Sequence, residues 1–100
     1  MTILQKYALS IPEHIRRKID VLGRPCIWNI VAHLNSLDDK TINITSLITK
    51  LNSNYNHIIK CVELMKSLDM IQEVRVGRVR LIKLNVDNEF VKAIIDILGL

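Results

Sequence analysis

The chain has 100 residues, of which 49% are hydrophobic and 24% charged, and a formal net charge of +4 at pH 7. That length corresponds to one domain. With a mean hydropathy of +0.21 the apolar content is ample for a core, which excludes an intrinsically disordered chain. A pI of about 9.3 tilts the expected partner towards nucleic acid.

The first residues, MTILQKYALSIPEHIRR, lack the signal-peptide order of charge, apolar run and small-residue cleavage site. No apolar stretch approaches membrane-spanning length. The expectation is a soluble, intracellular protein of the cytoplasm. Ser10 reads as a helix cap with Pro12 in the first turn. Ile11, Ile15, Ile19 and Leu22 recur at helical spacing and are expected to face inward, with Gly23 ending the segment. Arg16, Arg17 and Lys18 fall mostly off that stripe and read as a solvated face. A second helix is expected from Arg24 or Pro25 to Leu37. Its inward positions are Ile27, Ile30, Val31 and Leu34, with Trp28 beside them as a core or interface anchor.

Asp38, Asp39 and Lys40 form a polar turn, and Ile42–Ile44 a brief strand. Thr45 is expected to cap a short helix over 46–51, and Asn52 and Ser53 to turn the chain. Asn54 then caps a longer helix running to about Leu68. Its apolar stripe is Ile58, Val62, Met65 and Leu68, with Cys61 alongside. Residues 70–76 and 78–85 read as a β-hairpin turning at Gly77, which accepts the positive φ of a tight turn. Val74, Val76, Val79, Leu81 and Leu84 are its apolar positions, and Arg75, Arg78, Arg80 and Lys83 its solvated ones. Asp87 is expected to cap a terminal helix over 88–98, with Glu89 in its first turn. That helix is apolar almost all round, which predicts burial on more than one side.

Cys26 and Cys61 form no CxxC or CxC pair, which argues against a disulfide-framework fold and a zinc site. They read as two buried reduced thiols, with pairing left open for a hyperthermophilic source. His14 reads as a surface residue and His33 as half-buried. Neither has ligand-spaced companions, so no metal site is expected. There is no Ser/His/Asp order with a supporting motif, no glycine-rich phosphate loop and no paired carboxylates in a pocket-like context. No enzyme activity, cofactor or small-molecule ligand is expected.

The segment LITKLNSNYNHIIKCVELMKSLDMI followed by VRVGRVRLIKL resembles the winged helix-turn-helix family. That family orders a short helix, a turn, a recognition helix ending in Leu-x-x-Leu-x-x-x-Leu-Ile, and a β-wing. Val62, Met65, Leu68, Met70 and Ile71 stand at those apolar positions. The flanking helices resemble those of ArsR-like and MarR-like regulators of bacteria and archaea, and of small archaeal or archaeal-virus versions. The implied fold is mainly α with a small β-hairpin (α+β), a winged helix-turn-helix with N- and C-terminal flanking helices. Residues 1–22 would form an N-terminal helical region, 24–85 the winged-helix core and 87–100 a dimerisation helix. The chain departs from the pattern at Asp69, where a glycine is usual, and at Ile59, where a small polar residue usually faces the duplex. Glu63 places a negative charge near phosphates.

A major groove about 12 Å wide admits one helix, and a helix N-terminus favours phosphate. Asn54, Tyr55, Asn56, His57 and Lys60 stand at that end of the long helix, away from its apolar stripe. Asparagine can bond adenine edges bidentately, and lysine meets guanine or phosphate. Asn54 as a plain cap and Tyr55 packed under the hairpin are equally open. Arg75, Arg78 and Arg80 would lie across backbone phosphates or enter the minor groove. The expectation is sequence-specific double-stranded DNA binding by a dimeric transcriptional regulator. Its seam would be formed by Phe90, Val91, Ile94, Ile95 and Leu98, with Ile3, Leu4 and Tyr7. The alternatives are a winged-helix protein-interaction module and a non-specific architectural DNA binder.

Overall fold

The computed structural model describes residues 11–100, an α+β arrangement of five helices and a three-stranded antiparallel sheet. The seam residues Ile3, Leu4 and Tyr7 and the expected cap Ser10 lie outside the described residues.

Helix α1 spans Glu13–Leu22 and begins after Pro12, whose carbonyl accepts from the amides of Ile15 and Arg16 at 3.1 and 3.0 Å. Its packing differs from the expected stripe. Val21 is buried and Leu22 half-buried, while Ile15 and Ile19 are exposed, Ile19 at 56%. Helix α2 spans Pro25–Ser36. Pro25 forces Arg24 to stay extended (φ −101°, ψ 107°) and loses no hydrogen bond at the first helical position. Ile27, Ile30, Val31 and Leu34 are fully buried at the centre of the core. Trp28 is half-buried and donates its indole N–H to the Leu22 carbonyl at 2.6 Å, tying α2 to the end of α1.

Strand β1 is Thr41–Asn43 and runs directly into helix α3, Ile44–Lys50. The cap is Asn43, whose Oδ1 accepts from the Ser46 amide at 2.7 Å. The expected cap, Thr45, is already inside the helix, and the expected strand is shifted by one residue. Asn52 turns the chain with φ 50°, a left-handed conformation that asparagine tolerates. Helix α4 is Tyr55–Ser67, capped as expected by Asn54, whose Oδ1 accepts from the His57 amide at 2.8 Å. Ile58, Cys61, Val62 and Met65 are its buried face. Asp69 leaves α4 at φ 58°, so an aspartate fills a role that glycine usually takes.

Strands β2 (Ile71–Val76) and β3 (Val79–Leu84) form the hairpin, with Gly77 at φ 61° in its turn. The sheet order is β1-β3-β2, and Arg75 pairs with Arg80 and Val76 with Val79. Helix α5 is Glu89–Leu98, ended by left-handed Gly99 (φ 71°). Its cap is Asn88 and not Asp87. Asn88 Oδ1 accepts from the Phe90 and Val91 amides, while Nδ2 reaches the Leu68 carbonyl at 2.8 Å. One side chain thus caps α5 and fixes it to the end of α4.

Cys26 of α2 and Cys61 of α4 form a disulfide, with Cα atoms 6.5 Å apart. This overturns the reading of two reduced thiols. Side-by-side packing of α2 and α4 brings together positions 35 residues apart in sequence, within disulfide reach.

Candidate functional site

Successive residues of a helix are turned by about 100°, so the face of α4 opposite Ile58, Cys61, Val62 and Met65 carries Asn56, Lys60, Glu63 and Ser67. All four are exposed. Tyr55, Ile59 and Lys66 lie on the flank between that face and the core. Tyr55 is exposed and Ile59 half-buried. His57 is exposed near the opposite flank. The Asn54 side chain is engaged as the cap, so its Oδ1 already has a partner.

The period of the hairpin decides where its arginines go. Residues opposite one another in an antiparallel pair share a face. Ile71, Glu73 and Arg75 therefore share a face with Leu84, Ile82 and Arg80. Gln72, Val74 and Val76 share the other with Lys83, Leu81 and Val79. Near the base the first face enters the core through Ile71, Ile82 and Leu84. Further out it meets the flank of α4. The hairpin valines, read from sequence as its apolar positions, are exposed on the outer face, Val76 at 60%.

At that junction Glu73 gathers the cations. Its side chain is only 7% exposed. Arg80 holds it in a two-point grip, with Nε to Oε2 at 2.9 Å and Nη2 to Oε1 at 2.8 Å. Lys66 of α4 donates to Oε1 at 3.0 Å, and Arg75 donates through Nε to Oε2 at 3.2 Å. Arg80 also reaches Glu63 of α4 at 3.3 Å. The Arg80 hydrogen bonds dominate the electrostatics and bring the Glu73 carboxyl down from 4.5 to about 2. Burial opposes them, and Lys66 and Arg75 add to them. The same contact with Glu73 raises the Arg80 pKa.

The expected set of hairpin cations therefore divides. Arg80 is not a solvated position, because its side chain is 22% exposed and bound to two carboxylates. Arg75 is exposed but paired with Glu73. Arg78, at the tip, forms no ion pair among the described residues. It lines a cleft of about 520 Å³ with Tyr55, Val79, Arg80 and the start of α3 (Asn43, Ile44, Thr45, Ser46). The hairpin tip and the N-terminal turn of α4 thus flank a single opening, joined through Tyr55.

Of the expected seam, Val91 and Ile94 are fully buried in the core of their own chain, out of reach of a partner. Phe90 and Ile95 are half-buried, and Leu98 is exposed together with Ile97 and Leu100. The helix turns its apolar excess in two directions, and its own core takes the inner one. Among the described residues no group of three or more His, Cys, Asp or Glu side chains is placed to hold a metal ion. No described helix is long and apolar enough to cross a membrane.

Sequence reasoning missed Glu73 as the hub. Its signal was present: the one carboxylate of the hairpin sits two residues from Arg75, on the same face of the strand. No family model and no curated protein matches the chain.

Proposed function

We propose that the chain is a winged helix-turn-helix protein that binds double-stranded DNA. In this reading α3 and α4 are the helix-turn-helix, α4 is the recognition helix and β2–β3 is the wing. The supporting observation is the shared cleft, in which Arg78 of the hairpin tip and Tyr55 of the first turn of α4 face one opening. Asn56 and Lys60 project from the outer face of the same helix end, where the helix dipole favours phosphate. A helix in the major groove with a cationic loop on the adjacent backbone fits that arrangement.

Base contacts fall to Asn56 and Lys60, with His57 at the margin. Backbone contacts fall to Arg78, with Tyr55 beside it and Arg75 within reach if it leaves Glu73. Arg80 supports the wing from behind. A second copy would join through the accessible part of α5, namely Phe90, Ile95, Ile97 and Leu98. Two-fold symmetry would then set the recognition helices about 34 Å apart on a pseudo-palindromic site, as suits a transcriptional regulator.

Selection of binding sites from a random duplex library tests the reading. The expected product is a dyad motif with half-sites about one turn apart. Recovery of no motif, with random duplexes bound as tightly as any other, would replace regulation by an architectural role. No duplex binding at low salt would turn the reading to the protein-interaction module. The exposed valines of the outer hairpin face, Val74, Val76 and Val79, would be its contact surface.

A further inference from the structure

Three cations, from one helix and both strands of the hairpin, converge on one nearly buried carboxylate, and that carboxylate lies between the helix and the hairpin that flank the cleft. Lys66 comes from α4, Arg75 from β2 and Arg80 from β3. Glu63, also from α4, takes the outer nitrogen of Arg80. A two-stranded hairpin six residues long on each side is a weak lever by itself. Its outer half lies beyond the buried residues Ile71, Ile82 and Leu84, so apolar packing does not hold the tip. The ionic cluster is what joins the outer half to α4.

Resting on the DNA-binding reading above, we infer that Glu73 is a positioning residue that sets specificity. It fixes the hairpin tip relative to the exposed face of α4, and it keeps Arg75 and Arg80 from acting as free phosphate ligands. The arrangement trades raw affinity for register. With the clamp closed, Arg78 is the cation of the hairpin tip offered to a phosphate, and it is held at a set distance from Asn56 and Lys60. With Glu73 replaced by glutamine, Arg75 and Arg80 regain mobile guanidiniums and one negative charge is removed from the wing. Backbone attraction then grows and carries no sequence information.

Glu73→Gln removes the charge and keeps the shape. Glu63→Gln weakens the same cluster from the exposed side, where folding is not at stake. Each variant is compared with wild type in duplex affinity against salt, using a selected and a random duplex. Hydrogen exchange is read at the amides of 76–79. The expected result for Glu73→Gln is a salt dependence steeper by about one to two phosphates and random-duplex affinity raised several-fold at low salt. Discrimination between selected and random duplexes should fall about tenfold, with faster exchange at the tip. Glu63→Gln should move in the same direction by less. An unchanged slope and unchanged discrimination in both variants, with wild type binding duplex, overturns this inference alone. Loss of binding in proportion to lost folded protein, at constant slope, overturns it as well and leaves Glu73 a plain structural residue. Failure of the wild type to bind any duplex removes the DNA reading and this inference together.

Discussion

Side chains of one chemical class carry unequal weight here because their neighbours differ. Arg78 and Arg80 are two residues apart, yet one lines an open cleft without an ion pair among the described residues and the other is locked to Glu73. Arg78→Ala should weaken binding to all duplexes alike and reduce the salt slope by about one, with no change in melting temperature. Arg80→Ala should instead cost about 1–3 kcal/mol of stability, because Glu73 keeps its burial and loses its main partner. Thermal melts and salt titrations of both variants separate the roles. Glu73 also predicts a pH dependence. Its folded pKa lies below the ordinary value, so its stabilisation is complete above about pH 4.5 and is lost as pH falls towards 2. Wild type should lose melting temperature between about pH 5 and pH 2, and Glu73→Gln should lose less over the same range. Parallel curves for the two proteins would remove the carboxylate from that account.

At the scale of elements, periodicity made α2 and α4 legible but not α1, whose equally periodic Ile15 and Ile19 are exposed, and legibility stopped where several residues competed for one role. The stripes of α2 and α4 needed only a 3.6-residue repeat, and their buried positions match the reading residue for residue, Leu68 excepted. Capping was harder. The runs TINITS and NVDNE each hold several cap-competent residues, and backbone geometry chooses among them. The choice fell on Asn43 and Asn88, one residue or more away from the residue that pattern alone suggests. In the hairpin, period two makes both faces plausible, since one is valine-rich and the other arginine-rich. The nearly buried Glu73 of β2 decides for the arginine side, and no local pattern announces its partner Lys66 from α4. Helix α5 shows the same limit, because its apolar excess does not say which side is core. Ile94→Ala should cost about 2–5 kcal/mol in unfolding without altering association. Ile97→Ser with Leu98→Ser should leave the fold and abolish concentration-dependent sedimentation. The reverse pattern would move the seam inward and contradict the burial of Ile94.

Across the whole molecule, the element facing the proposed duplex is restrained from both sides. The disulfide links Cys61 of α4 to Cys26 of α2, and the Glu73 cluster links α4 to the hairpin. Neither restraint could be settled from sequence: the pairing of Cys26 with Cys61 joins residues distant along the chain, and the hairpin carboxylate needs a partner, Lys66, on another element. Closing a loop between residues 26 and 61 should contribute about 2–4 kcal/mol, so a dithiol reductant should lower the unfolding midpoint accordingly. The central claim is that the α4 amino end and the hairpin tip together grip a duplex, and one titration addresses it most directly. Affinity for a selected duplex is measured from about 50 to 200 mM salt for wild type and for Lys60→Ala with Arg78→Ala. A dimer neutralising about 6–10 phosphates should lose roughly 10³- to 10⁵-fold over that range, and the variant should show a shallower slope and weaker binding throughout. Identical curves for the two proteins, or no duplex binding by wild type at the lowest salt, would contradict it.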